Sequence, residues 1–162
     1  MAMACLALLA GCGGPSSSSF NPPSEDIECM ARAMYFESVR SSRDGMIAVG
    51  SVVMNRVDSD AYPNTVCGVV SQRNQFAPGV MTKRMESRAA PLARAAAQSV
   101  LAGERHPDVA GAMFFHAATY RASFNNMHYV VTTGGNAFYE RRRPENVTAP
   151  RPLPATEGIT GR

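Results

Sequence analysis

The spacing of apolar residues changes once along this chain, at Gly103, and that change limits the fold more than any other feature. Before it the period is helical. Ile27, Met30, Ala31, Met34 and Tyr35 follow Ser24-Glu25-Asp26, which predicts a first helix with Ser24 as its N-cap. Ser41 or Ser42 can cap a second, in which Met46, Ile47, Gly50, Val53, Met54 and Val57 share a face, and the glycine in that face implies close approach of another helix. Thr65 can cap a short third helix through Val66, Val69 and Val70, and Arg88 to Ala102, with Pro91 near its start and Gly103 behind it, reads as a fourth. After Gly103 the apolar runs become short and rich in β-branched and aromatic residues: Ala112 to His116, His128 to Thr133, and Ala137 to Tyr139. These read as a small antiparallel sheet. Helices followed by strands, without βαβ alternation, predict an α+β single domain over residues 25–140.

The two ends read differently. Residues 1–12 are apolar and uncharged, too short for a membrane-spanning helix but long enough for a leader, and residues 13–24 (GGPSSSSFNPPS) read as a flexible tether. Leu9-Ala10-Gly11-Cys12 is similar to the lipobox of bacterial lipoproteins, which implies that Cys12 takes a lipid. The expectation is an exported protein anchored by lipid in the cell envelope, with Gly13 after the cysteine favouring the periplasmic face of an outer membrane where one exists. The tail from Arg141 to Arg162 carries four prolines and little apolar periodicity, and so is expected to be disordered.

With 162 residues, 45% hydrophobic and 18% charged, the chain has material for one core and one active site. The net charge of +3 is spread out except at Arg141-Arg142-Arg143, which argues against nucleic acid as a partner. That run reads as solvated charge or as a patch resting on anionic wall or lipid. His106, His116 and His128 lack the spacing of metal ligands, so neither a metal nor a cofactor is expected. Once the leader is removed and Cys12 is lipidated, Cys29 and Cys67 are left, and in an exported chain they suggest a disulfide.

Glu37 stands at the edge of the first helix's apolar stripe and near that helix's C-terminus, where desolvation and the helix dipole both raise a carboxyl pKa. A carboxylic acid still protonated near neutral pH can give its proton to a leaving glycosidic oxygen. The competing reading pairs a solvated Glu37 with Arg32 or Arg40.

The blocks CMARAMYFES, RDGMIAVGSVVMNRV, YPNTVCGVV, NQFAPG, AMFFHAATYRASF and GGNAFYE, in this order and spacing, resemble the SleB-type (spore cortex-lytic) family of cell wall hydrolases. The resemblance implies a lysozyme-like and lytic-transglycosylase-like domain, the glycan strand of peptidoglycan as substrate, and Glu37 as the catalytic acid. It also implies substrate contacts at Gln75, Phe76, His116, Tyr120, Phe124, Asn136 and Tyr139. Two positions depart from the family pattern: Ser41 stands where a second glutamate is common, and Asn136 where a histidine is. Asn55-Arg56 either braces the cleft or is a helix-end asparagine beside a solvated arginine.

Two-carboxylate hydrolysis needs a partner for Glu37, and none of Asp44, Asp58, Asp60, Glu86, Glu104 or Asp108 stands in a block that marks it as one. The favoured expectation is therefore a monomeric lytic transglycosylase with Glu37 as sole acid and base. A muramidase using water and a lipoprotein that binds peptidoglycan without cutting it are the alternatives.

Overall fold

A computed structural model describes residues 22–161, so the leader, Cys12 and most of the tether lie outside the described residues. Four helices, α1 (Ser24–Glu37), α2 (Arg43–Val57), α3 (Val66–Val70) and α4 (Ala90–Leu101), precede three strands, β1 (Phe114–Ala117), β2 (Met127–Thr133) and β3 (Asn136–Arg141). The expected α+β order is present. The sheet is antiparallel in the order β1-β3-β2, with Phe115 opposite Phe138 and Thr133 opposite Asn136.

Local chemistry sets most boundaries. Ser42 caps α2 by accepting from Gly45 N at 2.9 Å, and Thr65 caps α3 by accepting from Gly68 N at 3.1 Å. Ser24, expected as the N-cap of α1, is instead its first residue. Pro23, with φ fixed at −53°, takes the cap position, and its carbonyl accepts from Ile27 N. β1 starts at Phe114 and not at Ala112, because the Ala112 carbonyl accepts from Asn55 Nδ2 and the Met113 carbonyl from Arg56 Nε, each at 2.9 Å.

Met30, Met34, Met46, Ile47, Val49, Val52 and Phe138 are fully buried where α1, α2 and α4 pack together and meet one face of the sheet. Gly50 is where the three helices come closest: a Cβ there would lie 2.3 Å from Met34 Cε and 3.0 Å from Val100 Cγ2. A Cys29–Cys67 disulfide, with Cα atoms 5.2 Å apart, ties α1 to α3.

The tail is the principal correction to the sequence reading, for it packs on the domain. Pro144–Asn146 form a 3₁₀ turn, Ala155 bridges to Thr132, and Thr156 N donates to the Thr132 carbonyl at 2.9 Å. The Glu157 carboxylate accepts from Ser42 Oγ at 2.6 Å and from Gly134 N at 2.7 Å. Asp44, 2% exposed, accepts from Ile159 N at 2.7 Å, from Thr160 N at 2.8 Å and from the Thr160 hydroxyl. Polar bonding, not apolar burial, holds this strap to α2 and the β2–β3 turn, and apolar composition does not register such bonds.

Burial alone would raise the pKa of Asp44, but the bonds from Ile159 N, the Thr160 hydroxyl and Thr160 N outweigh it and hold the carboxyl below its ordinary value. A depressed folded pKa contributes stability that is complete above the unfolded carboxyl value of about 4 and is lost as pH falls through the folded value. The amides of Ile159 and Thr160 are therefore expected to lose hydrogen-exchange protection below pH about 4. Asp44→Ala is expected to lose that protection at every pH and to cost about 2–3 kcal/mol in chemical denaturation. Undiminished protection in the variant would exclude this role.

Candidate active site

Glu37 is the last residue of α1, and three separate segments fix it. Ser38 closes the helix, its N–H and its hydroxyl both donating to the Met34 carbonyl, at 3.2 and 2.7 Å. The β2–β3 hairpin then grips the helix end: Asn136 Nδ2 donates to the Glu37 carbonyl at 2.6 Å, and Val39 N donates to the Gly134 carbonyl at 2.9 Å. This hairpin turns through Gly134 and Gly135, both at positive φ, and Gly134 lies so close to Gly45 of α2 that a Cβ on it would be 2.3 Å from Gly45 Cα. The loop after α3 supplies the third contact, an N–H from Ala77 to Glu37 Oε1.

Burial pushes the Glu37 carboxyl above its ordinary value, against the Ala77 N–H and the positive charge of Arg56, which both pull it down. The alternative pairing with Arg32 or Arg40 does not occur. Arg32 bonds Glu28 and the carbonyls of Val80 and Lys83, and Arg40 lies over the Tyr35 ring at 4.5 Å. Glu37 is thus a half-buried acid aimed by backbone, with a fixed cation as its nearest charge.

That cation is the residue the sequence undervalued. Arg56 is not solvated; it is 3% exposed, with Nε on the Met113 carbonyl and its guanidinium over the rings of Tyr62 at 5.2 Å and Phe76 at 5.4 Å. It stands four and seven residues after the fully buried Val52 and Val49, on a side of α2 that is buried, while the neighbouring Asn55, bonded to the carbonyls of Ala110 and Ala112, braces the same segment.

The other expected site residues divide between cleft and core. Phe76 is 8% exposed and packs against Phe115 with centroids 6.4 Å apart, so most of its ring belongs to the core. Asn136 is 6% exposed and its Nδ2 is bonded to the Glu37 carbonyl, so it positions the acid. Gln75 is exposed and, with Arg56, Tyr62, Phe114 and Tyr139, lines a cavity of about 490 Å³. On the outer face of the sheet, His116, Tyr120, Phe124 and Tyr139 line a second cavity of about 260 Å³.

In that second cavity Tyr120 is 54% and Phe124 68% exposed, a level of exposure that suits stacking on a ligand. His116 is held at both nitrogens, Nδ1 donating to the Ala117 carbonyl at 2.9 Å and Nε2 lying 2.7 Å from the Tyr129 hydroxyl oxygen. With both nitrogens engaged, it forms a wall of the cavity. Phe114 stacks on Tyr139, centroids 5.5 Å apart, on this outer face, while Phe115 faces the core beside Phe138.

Four other acidic residues have partners of their own: Asp44 the tail, Glu104 Arg43, Glu86 Arg84 and Glu140 Arg142. Among the described residues no three His, Cys, Asp or Glu side chains gather as a metal would need. No helix among them is long and apolar enough to cross a membrane.

Comparison with known proteins gives this geometry its context. The chain is 39% identical over 66 residues to the spore cortex-lytic enzyme of Bacillus cereus, a stretch that is 38% of this chain and 26% of that protein. It is 36% identical over 51 residues to the enzyme of the same name from Bacillus subtilis, 32% of this chain and 17% of that one. The chain therefore matches about a quarter or less of the length of these relatives. Among solved structures, it is similar to the catalytic domain of the germination-specific lytic transglycosylase SleB from Bacillus anthracis, at 26% identity and a TM-score of 0.59 over 78% of this chain and all of that one. The catalytic domain of the Bacillus cereus SleB protein matches at 26% identity with a TM-score of 0.60, over 79% of this chain and 99% of that one. The cell wall hydrolase family model matches residues 40–139, which begin three residues after Glu37 and take in the turn of the hairpin that holds the acid and the lining of both cavities except Arg141. On that match, over more than half of its length, the chain belongs to the cell wall hydrolase family.

Proposed function

We propose that the protein cleaves the glycan strand of peptidoglycan at N-acetylmuramic acid by lytic transglycosylation, with Glu37 as sole acid and base. The observation that carries this reading is the half-buried Glu37 carboxyl, raised in pKa and fixed by Ala77 N–H, with Arg56 and no carboxylate among the described residues acting on its charge. The likeness to catalytic domains of lytic transglycosylases supports it. In the first step the protonated Glu37 gives its proton to the leaving glycosidic oxygen as the bond to C1 of muramic acid breaks. In the second, the Glu37 carboxylate takes the proton of the C6 hydroxyl as that oxygen bonds to C1, which closes a 1,6-anhydro ring and restores the acid. No water is consumed. Arg56 opposes the raised pKa and stabilises the carboxylate between the two steps.

Mass spectrometry of digested peptidoglycan tests the reading, with anhydromuramic termini as the expected product. Products bearing only reducing ends would overturn it in favour of hydrolysis, and binding without cleavage would favour the non-catalytic alternative. The pH profile supplies a second check. A general acid must be protonated, so kcat/KM is expected to fall as pH rises through the Glu37 pKa. Arg56→Gln removes a charge that lowers that pKa, so the alkaline limb is expected to move to higher pH; an unmoved limb would exclude the coupling.

We also propose that the protein is exported and held in the envelope by a lipid on Cys12, on the strength of the lipobox-like Leu9-Ala10-Gly11-Cys12. Metabolic labelling with a fatty-acid analogue should mark the wild type and not Cys12→Ala; label in both would refute the anchor.

A further inference from the structure

Arg56 and Arg141 both line the 490 Å³ cavity beside the candidate acid, and among the described residues neither forms a salt bridge. Arg56 is held only by the Met113 carbonyl and the faces of Tyr62 and Phe76, and its buried Nη1 has no hydrogen-bond partner. Arg141 is exposed, lies over the Phe114 ring at 4.4 Å and sits beside the Tyr139 hydroxyl. The rest of the lining includes Gln72, Asn74 and Gln75 and contains no aspartate or glutamate. Two guanidinium groups over aromatic faces, among side-chain amides and with no carboxylate in the cavity lining, create a positive field in a concave site while Glu37 is protonated, and low-dielectric walls strengthen it. Arg142, the next residue along, spends its charge on Glu140 at 2.8 Å, so the free charge of Arg141 is not a general property of the arginine run.

Arg141 also borders the second cavity, lined by His116, Tyr120 and Phe124. A sugar stacked on those exposed rings would place its substituents toward Arg141 and the first cavity. We propose that this cavity is an anion subsite that takes a carboxylate carried on the glycan, presented to Arg141 with Arg56 supplying the field behind it. The proposal rests on the glycan-cleaving reading above and sharpens it: the chain prefers strands whose muramic acid bears a carboxylate to strands in which that group is neutral. The carboxylate can be that of the lactyl group itself or of an attached peptide, since the guanidinium fork recognises both alike.

The test is equilibrium binding at low salt, by calorimetry, with the full chain carrying Glu37→Gln to prevent turnover. Three soluble strands are compared: glycan with free lactyl carboxylates, the same glycan with those carboxylates converted to methylamides, and glycan bearing peptides. The free-carboxylate or the peptide-bearing strand, or both, is expected to bind about fivefold more tightly than the neutral strand, the gain of one partly exposed charge pair, and the gain should shrink with added salt. Which of the two gains the affinity identifies the source of the carboxylate. Adding Arg141→Gln is expected to bring the anionic strands to the affinity of the neutral one, whereas Arg141→Lys, which keeps a charge, should retain most of the gain. Equal affinity for all three strands, or a preference that survives Arg141→Gln in a variant with unchanged circular dichroism, overturns the proposal. Wild-type cleavage of the same strands is measured alongside. A charge preference without cleavage would leave the subsite standing and overturn the transglycosylase reading, and cleavage without a charge preference would do the reverse.

Discussion

Glu37→Gln is expected to lower kcat on purified peptidoglycan by about 10³-fold or more, the contribution of a positioned general acid and base acting in both steps. The substitution is close to isosteric with the protonated acid. An amide oxygen can still accept the Ala77 N–H, and the Asn136 bond to the Glu37 carbonyl involves only backbone on the Glu37 side. The melting temperature and circular dichroism should therefore match the wild type, so that lost activity reports chemistry and not folding. An unfolded variant would contradict the local geometry, and retained turnover would remove Glu37 from the mechanism. Loss in kcat with little change in KM is the specific expectation, because the proton is transferred in the transition state while ground-state binding rests on the aromatic and polar lining.

Cys67→Ser is expected to cost about 3–4 kcal/mol, since the Cys29–Cys67 bond closes a separation of 38 residues. For a domain of this size that corresponds to a fall of about 10 °C in melting temperature. The effect should extend to activity before the domain melts. The disulfide fixes α3 on α1, and the chain leaving α3 carries Phe76 into the core and Ala77 N–H onto Glu37. Reduction of the wild type should reproduce the thermal shift, and a shift below about 1 kcal/mol would exclude the bond as a stabilising element.

These two cases mark where sequence reasoning was strong. Helices α1 to α4, the sheet, the Ser42 and Thr65 caps, the disulfide and the partly desolvated Glu37 were all legible, because each depends on residues close in sequence or on a short inventory: a period, a cap, two remaining cysteines, an acid at the edge of a stripe. The surroundings of Phe76, Asn136, Arg56 and the tail were not legible, for one reason. Each depends on a partner far away in sequence: 39 positions for Phe76 with Phe115, 57 for Arg56 with Met113, 99 for Asn136 with Glu37 and 116 for Thr160 with Asp44.

The sequence by itself determined that this chain folds as helices followed by a small sheet and that Glu37 ends the first helix half out of water. Period and capping act within a few residues, so they can be read without knowing where the chain goes next. Only the tertiary structure decided what surrounds that acid. The hairpin that grips its carbonyl, the loop N–H on its oxygen, the buried arginine behind it and the tail strapped across α2 are brought together by packing between distant segments, and hydrogen-bond partners and desolvated charges exist only once those segments meet.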